Sequence, residues 1–168
     1  MKVVAYSVKS FEKESLAKAN QKKHDITLIS NQLSPETALY AEGKDAVLVF
    51  TDDDVSAGVI GQLAGMGIRY IATRSVTTHH INKDAAAVLG IKLANATSSS
   101  PQAIVKSTAA WDASDQTYLT GEALQQIADQ TIKNLDLWQQ DKCVGKACVC
   151  VKNCRDAEKT AIPLNILL

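Results

Sequence analysis

The first 142 of the 168 residues contain no cysteine. No disulfide framework can staple them, so burial of apolar surface must hold them, and a chain of this length buries enough. Charge of one sign is also lacking: Lys plus Arg is 18 and Asp plus Glu is 18, for a net charge of zero. Proteins that neutralise phosphates carry a basic excess, so nucleic acid is not an expected partner. No apolar run approaches the roughly 18 to 20 residues that span a bilayer, so neither is a membrane. The opening stretch MKVVAYSVKSFEKE meets charge too early for a signal-peptide core and reads as a first strand. The cytoplasm is the expected compartment. With 46% hydrophobic and 21% charged residues, the chain has the composition of one globular domain, alone or with a tail.

What is present is an alternation. KVVAYS (2–7), DITLI (25–29), DAVLVF (45–50), RYIAT (69–73) and IKLA (91–94) read as strands, rich in β-branched and apolar residues. Between them lie helical segments. Ser10 is a candidate N-cap for FEKESLAKAN, and Ser34-Pro35-Glu36 reads as a helix start. VSAGVIGQLAGMG follows Asp52, Asp53 and Asp54, and Asn82 precedes KDAAAVLG, which Gly90 ends. Five strands separated by four helical segments predict an α/β fold, a flavodoxin-like five-stranded parallel sheet with helices on both faces. After the break TSSSP, Ser100 and Pro101 open one helix and Thr120 caps another. Leu124, Ile127, Ala128, Ile132, Leu135 and Trp138 line one face of the second. The expected organisation is a sheet-and-helix unit over 1–140 and a flexible, Cys-containing tail over 141–168.

The order of MKVVAYSVKSFEK, AVLVFTDDDVS, IRYIATRSVTTHHIN, LGIKLANATSSSPQAI and QTYLTGEALQQIADQTIKNLDLW resembles the substrate-binding, or catalytic, domain of D-2-hydroxyacid dehydrogenases, especially D-lactate dehydrogenases. The resemblance covers about residues 1–105 and 115–140. It implies an oxidoreductase parent that uses NAD, bound by a Rossmann domain inserted after the S-P-x-A-I helix. Here residues 105–114 stand in place of that domain, and no G-x-G-x-x-G follows a strand. Gly61, Gly65 and Gly67 have the wrong spacing and end a helix. The family's catalytic Arg and Glu belong to the missing domain. Its acid/base His matches Asp115, which lacks the pKa for that work at neutral pH. Thr77 replaces a family glycine, Ser99 an aromatic residue, and Lys106 and Ser107 a Glu-His pair. The pattern is that of a domain-deleted, engineered derivative or a natural truncated relative, with no cofactor and no turnover of its own.

The candidate site is Arg74-Ser75-Val76-Thr77-Thr78, at the carboxyl edge of the sheet where open α/β folds bind ligands. In the family, backbone N–H groups of this turn hold the substrate carboxylate. An ordinary strand-to-helix turn is the competing reading. The aspartates at 52–54 lack calcium-loop spacing and read as a solvated helix start. His79 and His80 are adjacent, so their side chains diverge, and His24 reads as a lone surface residue. Ser100 and Ser107 have no base beside them in sequence. Cys143, Cys148, Cys150 and Cys154 give C-x4-C-x-C-x3-C, which matches neither zinc-ribbon nor ferredoxin spacing. They stay weak metal candidates beside the readings of reduced thiols in a flexible tail and of a disulfide formed on handling. The expected partners are a small 2-oxo or 2-hydroxy acid and a second copy in a homodimer, through Ile104, Val105 and Trp111. A non-catalytic binding or interaction module, with the Cys tail as its candidate metal site, is the alternative function.

Overall fold

The computed structural model describes residues 1–96 and 121–151. Its strands are β1 (Lys2–Ala5), β2 (Asp25–Leu28), β3 (Ala46–Val49), β4 (Tyr70–Thr73) and β5 (Lys92–Ala94). All pair in parallel, in the order β2-β1-β3-β4-β5. This is the expected flavodoxin-like order, with its switch point between β1 and β3.

The strands are continuous apolar runs because both faces of the sheet are covered. Val4, Val47, Val49, Ile71 and Leu93 point to one face. There they meet Val59, Ile60 and Leu63 of α2 (Ala57–Gly65) and Ala86 of α3 (Lys83–Val88). Val3, Ala5, Ala46, Leu48, Tyr70 and Ala94 point to the other face. That face is covered by Leu16 of α1 (Lys13–Asn20) and by Ala128, Ile132, Leu135 and Trp138 of α4 (Gly121–Gln139). The Trp138 ring stacks on Tyr70, with centroids 4.9 Å apart and planes at 24°. α4 is the second of the two expected C-terminal helices. The first, with Ser99, Ser100, Ile104, Val105, Lys106, Ser107 and Trp111, lies outside the described residues, as do Asp115 and Thr120.

Three local expectations are corrected. Ser10 does not cap α1; it lies inside a 3-10 turn, Ser10–Glu12, whose preceding N–H, that of Lys9, donates to the Glu12 carboxylate at 2.9 Å. The segment after Ser34 forms only a 3-10 turn, Ala38–Ala41. There the Thr37 hydroxyl donates to Gln32 O at 2.6 Å and accepts from Ser34 N at 2.8 Å, so side chains take bonds that a helix would have made. Within residues 141–151, read as the start of a flexible tail, Asp141 and Lys142 close the end of α4 and the stretch 147–150 lies along β5. Asn95 N–H donates to Ala147 O at 2.9 Å and Val149 N–H to Leu93 O at 3.2 Å. An open strand edge takes such a segment because its N–H and C=O groups need partners. The Asn82 cap holds, with its side chain accepting from Ala85 N at 2.9 Å, and Gly90 ends the segment at φ +71°.

Candidate functional site

The switch point between β1 and β3 is filled by an aspartate. Asp53 is 3% exposed. Its Oδ1 accepts from Ser7 Oγ at 2.6 Å and Leu33 N at 2.7 Å, and its Oδ2 accepts from Phe50 N at 2.6 Å. The reading of 52–54 as a solvated helix start is thus wrong for Asp53, though Asp52 and Asp54 are exposed. One carboxylate ties together the ends of β1 and β3 and the loop after β2. Ser7 holds its place at φ +51°, a left-handed conformation rare for a residue with a Cβ. The same burial, with the Asp53 charge nearby, pushes the Tyr6 hydroxyl pKa far above its usual value. That hydroxyl donates to Thr37 O at 2.9 Å.

Arg74 follows β4 and is 1% exposed. Its Nε donates to Glu12 Oε1 at 3.0 Å, and its Nη2 donates to Tyr6 O at 2.9 Å and Ser7 O at 3.3 Å. Its guanidinium carbon lies 5.6 Å from the Phe50 ring centroid. These bonds commit Arg74 to joining β4 to β1 and α1. Glu12, which the sequence reading passed over, is its buried counter-ion. An Arg directly after a buried strand, with an acid in the first turn of a neighbouring helix, was the available signal.

The next residues form the turn proper. Three of its carbonyls are fastened: Ser75 O accepts from Ala96 N at 3.1 Å, Val76 O from Asn95 Nδ2 at 3.1 Å, and Thr78 O from Ile81 N at 3.2 Å. Among the described residues, the N–H groups of Val76, Thr78, His79 and His80 have no acceptor. Thr77 N–H does have one, Ser75 Oγ at 3.1 Å. Thr77 is not among the residues with positive φ, so the turn closes without the glycine conformation. Beside it an open groove of about 540 Å³ lies where the chain enters α2 and α3, lined by Ser56, Thr78, His79, His80 and Lys83 among others.

The histidines separate. His79 is exposed, while His80 is half-buried with its Nε2 unpartnered, and burial lowers its pKa. His24 is not a surface residue: its side chain is fully buried and its Nε2 lies 3.0 Å from Asp136 Oδ1 on α4. The cysteines do not converge. Cys148 packs on the α1/α4 face of the sheet and Cys150 on the α2/α3 face. No cluster of three His, Cys, Asp or Glu side chains suited to a metal occurs among the described residues. Cys154 lies outside them.

A dinucleotide does not fit the described edge. Its phosphates need a Gly-rich turn leading from a strand into a helix N-terminus. Here the turn after β1 carries the fully bonded Ser7 and the turn after β3 carries three aspartates, while Gly61 and Gly65 lie inside α2.

Comparison with known proteins agrees with this geometry. Residues 3–149 match the model for the D-isomer specific 2-hydroxyacid dehydrogenase, catalytic domain, and no match to an NAD-binding domain accompanies it. A 2-hydroxyacid dehydrogenase homolog of Zymomonas mobilis is 33% identical over 107 residues, covering 63% of this chain and 32% of that one. The D-lactate dehydrogenase of Escherichia coli is 32% identical over the same shares of the two chains. The apo-structure of D-lactate dehydrogenase from Escherichia coli superposes with a TM-score of 0.59 at 33% identity, over 61% of this chain and 33% of that one. A relative from Lactobacillus delbrueckii, solved in an NAD-complexed form, gives 0.56 at 25% identity, over 64% and 33%. The chain spans about a third of the length of the relatives it matches. A sheet in flavodoxin order, a fastened turn after β4 and a match over nearly the whole described chain place this protein in the D-isomer-specific 2-hydroxyacid dehydrogenase family, as its catalytic-domain portion.

Proposed function

We propose that this chain binds a small 2-oxo or 2-hydroxy acid, of the size of pyruvate or lactate, by its carboxylate at the Ser75–Thr78 turn, and that it transfers no hydride alone. One observation carries the binding reading. The carbonyl oxygens of Ser75, Val76 and Thr78 are tied down, while the N–H groups of Val76, Thr78, His79 and His80 have no acceptor among the described residues. Unspent backbone N–H groups on either side of Thr77 suit an anion. Arg74 acts in this reading as a buried support of the turn rather than as a ligand, because Glu12 and two carbonyls hold its Nε and Nη2 and only its buried Nη1 is unspent.

The inactivity rests on what hydride transfer requires. The nicotinamide must sit within about 3 to 3.5 Å of the substrate carbon, and the described edge offers no cradle for it. The resemblance puts the acid/base role at Asp115, and each such contribution is worth roughly 10²- to 10⁴-fold. A domain-deleted derivative, engineered or natural, accounts for the short 105–114 connection. Self-association to a homodimer and a cytoplasmic setting belong to the same proposal. The dimer rests on Ile104, Val105 and Trp111 as apolar residues at the site of the deletion.

The test is NADH-dependent pyruvate reduction by the purified chain, alone and with a separately made NAD domain, together with backbone amide shifts on pyruvate titration. No turnover alone and shifts confined to residues 75–80 are expected. Steady turnover by the chain alone, or no shift in the turn at saturating pyruvate, refutes the proposal.

A further inference from the structure

In the Ser75–Thr78 turn one N–H is already spent. The Thr77 N–H donates to Ser75 Oγ at 3.1 Å, and the same hydroxyl lies 3.0 Å from Thr77 Oγ1. Ser75 is 3% exposed, so its hydroxyl has little water to turn toward. A serine side chain bonding the N–H two residues on is a local substitute for an external acceptor. The neighbouring donors are not spent in this way.

We infer that Ser75 sets the carboxylate affinity of this turn by occupying its central N–H as an internal acceptor. The inference rests on the reading of the turn as a carboxylate site. An incoming carboxylate oxygen either leaves Thr77 unused, binding through the unspent N–H groups on either side of it, or must displace the Ser75 hydroxyl. Displacement exchanges one hydrogen bond for another, which removes most of the gain. The side chain at position 75 therefore tunes affinity without touching the ligand.

Three proteins test this by backbone amide shifts and calorimetry with pyruvate: the unsubstituted chain, Ser75→Ala and Ser75→Thr. In the unsubstituted chain Val76 and Thr78 amides shift on titration and Thr77 moves least. In Ser75→Ala the Thr77 amide joins them and the Kd falls about fivefold, the worth of one net hydrogen bond. Ser75→Thr keeps the hydroxyl and matches the unsubstituted chain. Circular dichroism and the melting transition confirm that each variant is folded. Pyruvate binding that is equal or weaker in folded Ser75→Ala overturns the inference and leaves the carboxylate reading standing. An absence of turn shifts in all three proteins overturns both.

Discussion

Removing the Asp53 carboxylate should do far more damage than removing either of its exposed neighbours, Asp52 or Asp54. In Asp53→Ala, the Leu33 and Phe50 N–H groups and the Ser7 hydroxyl lose their acceptor together. Asp53 is 3% exposed, so water does not simply replace it. A buried donor left unpaired costs about 1 to 3 kcal/mol. The Ser7 hydroxyl can rotate, so the two backbone N–H groups dominate, for a total of about 3 to 5 kcal/mol. Ser7 would also lose a bond that holds it at φ +51°. Asp53→Asn is the sharper probe. Its oxygen, placed at Oδ1, still accepts from Ser7 and Leu33. Its amide then faces the Phe50 N–H, donor against donor. An intermediate loss of about 2 to 3 kcal/mol follows. The assay is urea unfolding. With a slope of about 2 kcal/mol per molar, a loss of about 4 kcal/mol moves the midpoint by about 2 M. Asp52, which is exposed and lies 3.8 Å from Lys9, is the control, with an expected change within about 0.5 kcal/mol for Asp52→Ala. Asp53→Ala within about 1 kcal/mol of the unsubstituted chain, at an unchanged slope, would refute the reasoning.

Three further outcomes follow from the same structure. Arg74→Met should destabilise by about 3 to 5 kcal/mol, because it strands the buried Glu12 carboxylate; pairing it with Glu12→Leu should recover much of the loss, and a double-mutant cycle with no coupling would count against the ion pair. His24 has its pKa lowered, first by burial and then by the Met1 amino group, against the pull of Asp136. Burial lowers His80 in the same direction. Both favour the fold while neutral, so stability is full above the ordinary histidine value of 6.5 and falls as pH drops through the lower folded values. Unfolding midpoints between pH 7.5 and pH 5 should show this fall, and His24→Gln should flatten part of it; a rise toward pH 5 would contradict it. Trp138→Ala removes a side chain that is 2% exposed and stacked on Tyr70, and should cost about 3 to 5 kcal/mol in the same urea assay. A loss under about 1 kcal/mol would mean that α4 does not anchor that face.

The architecture was legible because it is written in periodicity. Val47 and Val49 face one layer and Ala46 and Leu48 the other, and a short, β-branched run that is apolar at every position fits a strand covered on both sides. The α4 stripe Ala128, Ile132, Leu135, Trp138 is equally local, as is the Asn82 cap. The turn after β4 was locatable by its place at the carboxyl edge. What sequence could not supply was the fate of individual polar groups there. DDD reads as solvent-facing, and only the meeting of three chain segments decides that the middle carboxylate is the buried one. Arg74 stands beside the turn in sequence, yet Glu12, 62 residues earlier, claims its guanidinium. His24 finds Asp136 across 112 residues, and the cysteine segment finds the open edge of β5. Periodicity is a property of neighbours along the chain, so the sequence determined the layers. The partner of a buried charge or of a strand edge is a property of neighbours in space, and tertiary packing alone chose it.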